Sequence, residues 1–308
     1  MRRLTTMIMF SLAALALLPA PAAADAASAW LMFEEGNAMF ERREFGVALQ
    51  RYKEALASAG TLPEAETAIG DVYREEGELG LARLQYEKAY NHRNSLAVPA
   101  KKYDILYRIA RIDEDQELYK LMEDTMLSIL ADDRNWGGTA GFRLRAQLET
   151  NYYSKGLNQV LKLYRFDASF AQEAHAKLGW YYYRLGRFTQ AVPSCLYAVV
   201  YGASEIAKYL RERDVEWEFS SFEALLDAVE EHKDLQEYVV GAGLFRSLYY
   251  LAGSTYASGY PKSAQTLWRL IARAKQAGEY GELSTKQLSK PWIEPTLIPL
   301  KKTQARSP

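Results

Sequence analysis

The chain has 308 residues, of which 49% are apolar, and a formal net charge of −1. This composition is that of a globular protein rather than a disordered one, and the balanced charge indicates no nucleic-acid partner. The single cysteine, Cys195, excludes an intramolecular disulfide and a cysteine-rich metal site. The length suits one large domain or a continuous array of repeats.

The N-terminus has the pattern of an export signal. Two arginines precede an apolar run over residues 8–18, and an alanine-rich stretch follows. So short a run does not span a bilayer, but it suits a secretory signal peptide. We predict a signal peptide over residues 1–24, cleaved after Ala24 or Ala26, and a periplasmic or secreted mature protein. No cysteine lies near this site to carry a lipid anchor. An uncleaved membrane anchor is the alternative interpretation.

A pattern of small and large residues recurs four times, and its first two copies lie 34 residues apart. Each copy opens with a small residue and has a second small residue twelve positions later. The residue sixteen positions after the opening one is large in three of the four copies. The opening residues are Gly36, Gly70, Gly179 and Ala252, the second small residues are Ala48, Ala82, Ala191 and Ala264, and the last are Tyr52, Tyr86, Cys195 and Trp268. Small residues at two facing positions let two helices approach closely, while large ones fill the space around the hairpin.

This pattern resembles the tetratricopeptide repeat, a helix–turn–helix unit of about 34 residues. The resemblance implies an all-α fold, a right-handed superhelical solenoid of antiparallel helix hairpins that stack because one hairpin alone does not bury its apolar face. The predicted regions are N-terminal hairpins over 25–100, degenerate helical repeats over 101–166, C-terminal hairpins over 167–278 and an extended or disordered tail over 279–308. Prolines at positions 291, 295 and 299 favour the extended tail.

The chain has no recognisable catalytic or metal-binding motif. Its three histidines, His92, His175 and His232, are far apart, and none has the spacing of a zinc site. Residues 132–138 alternate acids with asparagine but lack the calcium-loop spacing, so we predict a surface loop there. Cys195 is interpreted as a buried apolar residue. We therefore predict a protein that is not an enzyme and has no cofactor.

The resemblance also implies where a partner binds. In this family the first helix of each hairpin lines a concave groove. Carried over by position, the residues predicted to contact a partner are Asn37, Phe40, Asp71, Arg74, Trp180, Tyr183, Arg184, Tyr249 and Tyr256. Such a mixture of aromatic, amide and charged side chains suits an extended peptide or a helix. Phe33 and Thr67 stand where a clamp for a C-terminal carboxylate would need lysine, so a chaperone-tail clamp is not predicted.

The repeat predicts fold more firmly than function. The leading hypothesis is a non-enzymatic exported scaffold that binds envelope proteins or peptides through its concave face, with no membrane span once the signal is cleaved. The alternative is a small-ligand-binding accessory protein of a periplasmic transport system, with an aromatic-lined cavity formed by the irregular region 101–166. An enzyme accessory to cell-wall metabolism ranks last, because the chain after Gly278 is too short for a catalytic domain.

Overall fold

The computed structural model describes residues 21–167 and 170–294, with side chains from Ala27 onward. All regular structure in these ranges is helical and no strand is present in them, which confirms the all-α class. The chain divides into two compact units, the first ending at Ile105. The helices of the first unit are α1 (Pro21–Glu41), α2 (Phe45–Ala59), α3 (Pro63–Glu75) and α4 (Leu79–Asn91), and α5 (Lys102–Asp115) crosses the division.

The second unit begins at Leu106. After α5 its helices are α6 (Tyr119–Ala131), α7 (Gly138–Lys155), α8 (Leu157–Leu163), α9 (Gln172–Arg184), α10 (Phe188–Arg213), α11 (Phe222–Glu230), α12 (Lys233–Gly241), α13 (Leu244–Ala257), α14 (Pro261–Arg273) and α15 (Glu279–Ser289). Helices α9 and α10 form one hairpin, and α13 and α14 form another. Helix α13 packs on both α9 and α10, and α15 packs on α14. In this way each hairpin buries the apolar face of its neighbour.

The small residues of the repeat bring the two helices of a hairpin together in the first unit. A Cβ atom built on Gly36 would lie 2.5 Å from Cε1 of Tyr52, and one built on Gly70 would lie 2.5 Å from Cε1 of Tyr86. Each tyrosine ring therefore occupies the space that a side chain on the glycine would need. Tyr52 also belongs to a buried cluster with residues of α3, including Ile69, so it joins one hairpin to the next.

The third copy of the repeat packs more tightly because Cys195 replaces the tyrosine. A Cβ atom on Gly179 would lie only 3.0 Å from the backbone nitrogen of Cys195 and would also collide with its sulfur. The thiol is fully buried, as predicted, and burial raises the pKa of Cys195. A small residue on each helix thus lets the backbones of α9 and α10 approach more closely than a tyrosine would allow.

Five hairpins share one turn geometry. A residue with positive φ follows each first helix, and the next residue donates its N–H to a carbonyl five positions back, as in the Schellman motif. The positive-φ residues are Arg43, Gly77, Glu117, Gly186 and Gly259. The hairpin of α5 and α6 therefore has the same turn as the others, although Glu117 replaces the usual glycine. The acidic residues 113–115 precede this turn and belong to α5.

Gly156, with a φ of 81°, separates α7 from α8. The predicted tail is wrong for residues 279–289, which form α15. No proline occurs in this stretch, and Tyr280 packs its ring 5.7 Å from that of Tyr249. Extended chain begins at residue 290, before Pro291. Residues 295–308 and the first twenty residues of the predicted signal peptide lie outside the described ranges.

None of the helices within the described ranges is both long enough and apolar enough to cross a membrane.

The contact at Gly179 predicts the effect of a substitution. Gly179→Leu forces α10 away from α9, and overpacking of this kind costs about 1–3 kcal/mol or more of the free energy of unfolding. Gly241→Leu is the control, because Gly241 has open space around it. Urea unfolding followed by circular dichroism measures both. Equal stability of the two variants would show that α9 and α10 are not in close contact at Gly179.

Candidate functional site

Three of the four predicted site residues of the first unit contact the second helix of their own hairpin, and the fourth, Arg74, pairs within its own helix. Asn37 accepts a hydrogen bond from the hydroxyl of Tyr52 at 3.0 Å, and Asp71 accepts one from Tyr86 at 2.7 Å. Phe40 packs against Phe45 with ring centroids 5.4 Å apart, and Arg74 pairs with the adjacent Glu75 at 3.2 Å. In both hairpins, therefore, the residue after the opening glycine accepts a hydrogen bond from the tyrosine whose ring packs on that glycine.

Two predicted groove residues of the second unit are not exposed. Tyr183 is 2% exposed, because α13 places Gly253 against its ring and Tyr250 lies 5.2 Å away. Burial raises the pKa of Tyr183 to about 12. Tyr249 is 1% exposed and lies beneath α15, where Gln287 donates a hydrogen bond to its hydroxyl at 3.1 Å. The predicted exposure of both tyrosines is therefore wrong, while their role in binding stays untested.

The remaining predicted residues differ in their surroundings. Tyr256 packs its ring 5.6 Å from Trp268, inside the last hairpin. Trp180 and Arg184 are half-buried on α9 and lie one helical turn apart. The guanidinium of Arg246, from α13, lies 5.5 Å from the centroid of the Trp180 ring. Arg246 lies on the first helix of the last hairpin, and its contact with Trp180 depends on how α9 and α13 pack.

We call the face formed by Lys177, Trp180, Arg184 and Arg246 the α9–α13 surface. A cavity of about 340 Å³ lies beside Lys177 and Arg246, and its other lining residues are Arg111, Gln172, Glu173, Ala176, Gly241, Ala242 and Gly243.

The cations of the cavity differ in their partners. Arg111 pairs with Glu173 at 3.3 Å, and Lys177 pairs with Glu114 at 2.5 Å. Arg246 forms no ion pair with any described residue. Its guanidinium instead stacks on the Trp180 ring.

Residues that follow α15 cover the α9–α13 surface at Arg184. Residues 290–294 extend from α15, and the backbone N–H of Glu294 donates to the hydroxyl of Tyr183 at 3.1 Å. The Glu294 carboxylate pairs with Arg184 at 3.3 Å. The side-chain amide of Gln287 accepts from the N–H of Trp292 at 2.9 Å and donates to its carbonyl at 3.1 Å.

A second polar cluster lies in the interior and was not predicted. Asp133, in the loop expected at the surface, is 3% exposed. It accepts hydrogen bonds from the hydroxyl of Tyr201 at 2.7 Å and from the N–H of Asn135 at 2.8 Å. Nε2 of the fully buried His175 lies 3.6 Å from it, and the Trp136 ring packs on the imidazole. The surface-loop prediction is therefore wrong for this residue.

The two titratable groups of this cluster have shifted pKa values. Burial lowers the pKa of His175, although the carboxylate of Asp133 opposes this effect. Burial acts to raise the pKa of Asp133, but the contacts with His175, Asn135 and Tyr201 more than offset it and leave the pKa lowered. The cluster holds the loop against α9 and α10. Across residues 21–167 and 170–294, no group of three or more His, Cys, Asp or Glu residues is arranged to hold a metal ion.

A cleft of about 740 Å³ at the end of the irregular region bears on the alternative function. Its lining includes Arg165, Lys208 and Arg211, and Phe166 is the aromatic residue among its lining side chains. This charged lining differs from the aromatic-lined cavity predicted for a small-ligand binder.

No family model matches the chain. An uncharacterised protein of Treponema pallidum is 25% identical over 240 residues, which cover 76% of this chain and 63% of that protein. An uncharacterised protein of Borreliella burgdorferi is 22% identical over 270 residues, covering 79% of this chain and 83% of the relative. The chain thus spans less than two thirds of the Treponema protein.

Two solved structures are similar in part. One is the TPR2AB domain of yeast Sti1 in complex with an Hsp90 peptide, at 15% identity and a TM-score of 0.32, covering 86% of this chain and 97% of that chain. The other is a tetratricopeptide repeat protein from Parabacteroides merdae, at 12% identity and a TM-score of 0.33, covering 85% and 98%. The helix-hairpin fold of this chain is established by its own packing rather than by these similarities.

The buried cluster predicts how stability depends on pH. The folded-state pKa of His175 lies below its ordinary value of 6.5, so the unfolded chain binds this proton more readily. The contribution of His175 to stability is complete above pH 6.5 and is lost as the pH falls towards the folded-state pKa. Asp133 acts in the same direction below its ordinary pKa of 3.8.

We expect the melting temperature to fall between pH 7.5 and 5.5, and His175→Phe to flatten this slope while keeping an aromatic ring against Trp136. Thermal unfolding at several pH values measures the effect. Equal slopes in the two proteins would show that His175 is not protonated on unfolding.

Proposed function

We propose that the protein is an exported, non-enzymatic binding module of the tetratricopeptide type, and that it holds an extended segment of a partner protein on the α9–α13 surface. The observation that carries the proposal is the pairing of Arg246 with Trp180 beside an open cavity, where Arg246 has no carboxylate partner among the described residues. Arginine and tryptophan are the residue types that contribute most to binding energy at protein interfaces.

The chemistry of this surface favours a particular kind of segment. Lys177 and Arg111 are already neutralised by Glu114 and Glu173, so Arg246 is the cation best placed to receive a carboxylate. The Trp180 ring supplies an apolar face for an aromatic or aliphatic side chain. An acidic residue next to an apolar residue in an extended chain therefore matches the surface.

The proposed place of action is the cell envelope. Support comes from the export signal predicted over residues 1–24 rather than from the fold. A repeat module in that compartment would bring envelope proteins together, with neither a cofactor nor a catalytic site.

A displayed library of random decapeptides, selected on the purified full chain, tests the binding function. We expect enriched peptides with an acidic residue beside an aromatic or aliphatic one. Trp180→Ala and Arg246→Ala should each weaken the binding of such a peptide at least about tenfold, which equals about 1.4 kcal/mol. Fluorescence anisotropy measures the affinity.

Lys233→Ala is the matched control, because Lys233 is a largely exposed cation on α12 outside the surface. Circular dichroism must show that all three variants remain folded. Selection of no peptide, or of peptides that bind the Trp180 and Arg246 variants as well as the parent chain, would contradict the proposal.

Export has its own test. If residues 1–24 are a signal peptide, N-terminal sequencing of the mature protein should begin at Asp25 or Ala27, because a small residue precedes each bond. Retention of Met1 in the mature soluble fraction would contradict export by this route.

A further inference from the structure

The segment over residues 290–294 lies on the α9–α13 surface as an extended peptide. Lys290 has extended backbone angles, with φ of −146° and ψ of 96°, and the proline that follows favours this conformation. The backbone groups of Trp292 and Glu294 face side chains of the protein, while the Ile293 side chain between them is 45% exposed. Alternation of this kind is what an extended chain produces on a surface.

Side chains, not a neighbouring strand, hold this segment. Gln287 satisfies both backbone polar groups of Trp292, and the Tyr183 hydroxyl accepts from the Glu294 N–H. Hydrogen bonds to backbone groups do not depend on the side chains of the peptide. The ion pair between Arg184 and Glu294, in contrast, depends on a side chain of the segment.

The same helix presents the covered and the open parts of the surface. Arg184 lies one helical turn beyond Trp180 on α9, so the segment ends next to the Trp180–Arg246 pair. An external peptide that extends from Arg246 along α9 would meet Glu294 within one turn. The two cannot both use Arg184 and the Tyr183 hydroxyl.

We propose that residues 290–294 are a tethered occupant of the α9–α13 surface, and that a partner segment of similar chemistry, extended and acidic, must displace them to bind. This inference rests on the proposed function of the surface. The segment carries an aromatic residue, Trp292, and an acidic residue, Glu294, two positions apart. These features are the ones by which the surface would recognise a partner.

The tether determines how strongly the segment competes. A short connection to α15 gives an intramolecular ligand an effective concentration in the millimolar range. The apparent affinity of a partner is reduced by the fraction of molecules in which the surface is covered. The ion pair that holds the end of the segment is partly exposed, so opening is less costly there than in the core.

Hydrogen exchange in the full chain tests whether this segment is held as proposed. Glu294→Arg places a like charge next to Arg184, and we expect the amides of residues 292–294 to exchange at least about tenfold faster. Ile293→Ala is the matched control in the same segment and should leave their exchange unchanged. Arg184→Glu combined with Glu294→Arg restores an opposite-charge pair and should restore protection.

Exchange in α10 and the circular dichroism spectrum must stay unchanged in all variants, which separates local release from unfolding. If Glu294→Arg exchanges like the parent chain, the ion pair does not hold the segment and the proposal is overturned. A concentration-dependent dimer in sedimentation, lost in Glu294→Arg, would also overturn it, because the occupant would then belong to a second copy.

Competition is measured with a labelled synthetic peptide, acetyl-KPWIE-amide, which has the sequence of residues 290–294. We expect it to bind the Glu294→Arg chain at least about tenfold more tightly than the parent chain. Equal binding, or no binding to either, would show that this segment is not a ligand of the surface.

The library peptides distinguish the two proposals. If they bind the parent chain and the Glu294→Arg chain equally well, the tethered-occupant inference fails and the binding function stands. If no library peptide binds either chain, the binding function itself fails.

Discussion

The close contact between a small residue on one helix and its partner on the next is the constraint on which the hairpins depend. At Gly36 and Gly70 a tyrosine ring fills the space left by the missing side chain, and at Gly179 the backbone of α10 comes close enough that a single Cβ atom would not fit beside Cys195. Two helices in such contact bury one face and leave the other apolar, so a second hairpin must cover it. Gly253 repeats the arrangement between hairpins, where it receives the ring of Tyr183.

This packing decides which side chains reach the surface of the second unit. Since α13 lies against α9, Tyr183 is inside the stack, whereas Trp180, one turn earlier on α9, meets Arg246 at the surface. The last helix and the segment after it then cover the end of the same face. A surface suited to an extended peptide is thus partly filled by the chain, and binding and regulation would use the same side chains.

Spacing alone predicted much of the architecture because glycine, alanine and aromatic residues have direct steric consequences at a helix contact. The all-α class and the burial of Cys195 follow from such local patterns. In the turn between α5 and α6, Glu117 adopts the positive φ that glycine usually provides. Its hydrogen bonds are those of the other turns, so the backbone geometry is retained where the residue pattern is not.

The sequence by itself determined the helices of the repeat copies, their pairing into hairpins and the class of side chain along the first helix of each pair, because these depend on neighbours within about 34 residues. Only the tertiary structure decided which of those side chains are accessible. It buried Tyr249 beneath α15, brought Asp133 to His175, 42 positions away, and joined Glu294 to Arg184, 110 positions away. These contacts depend on how distant helices stack, and the period of a repeat carries no information about that.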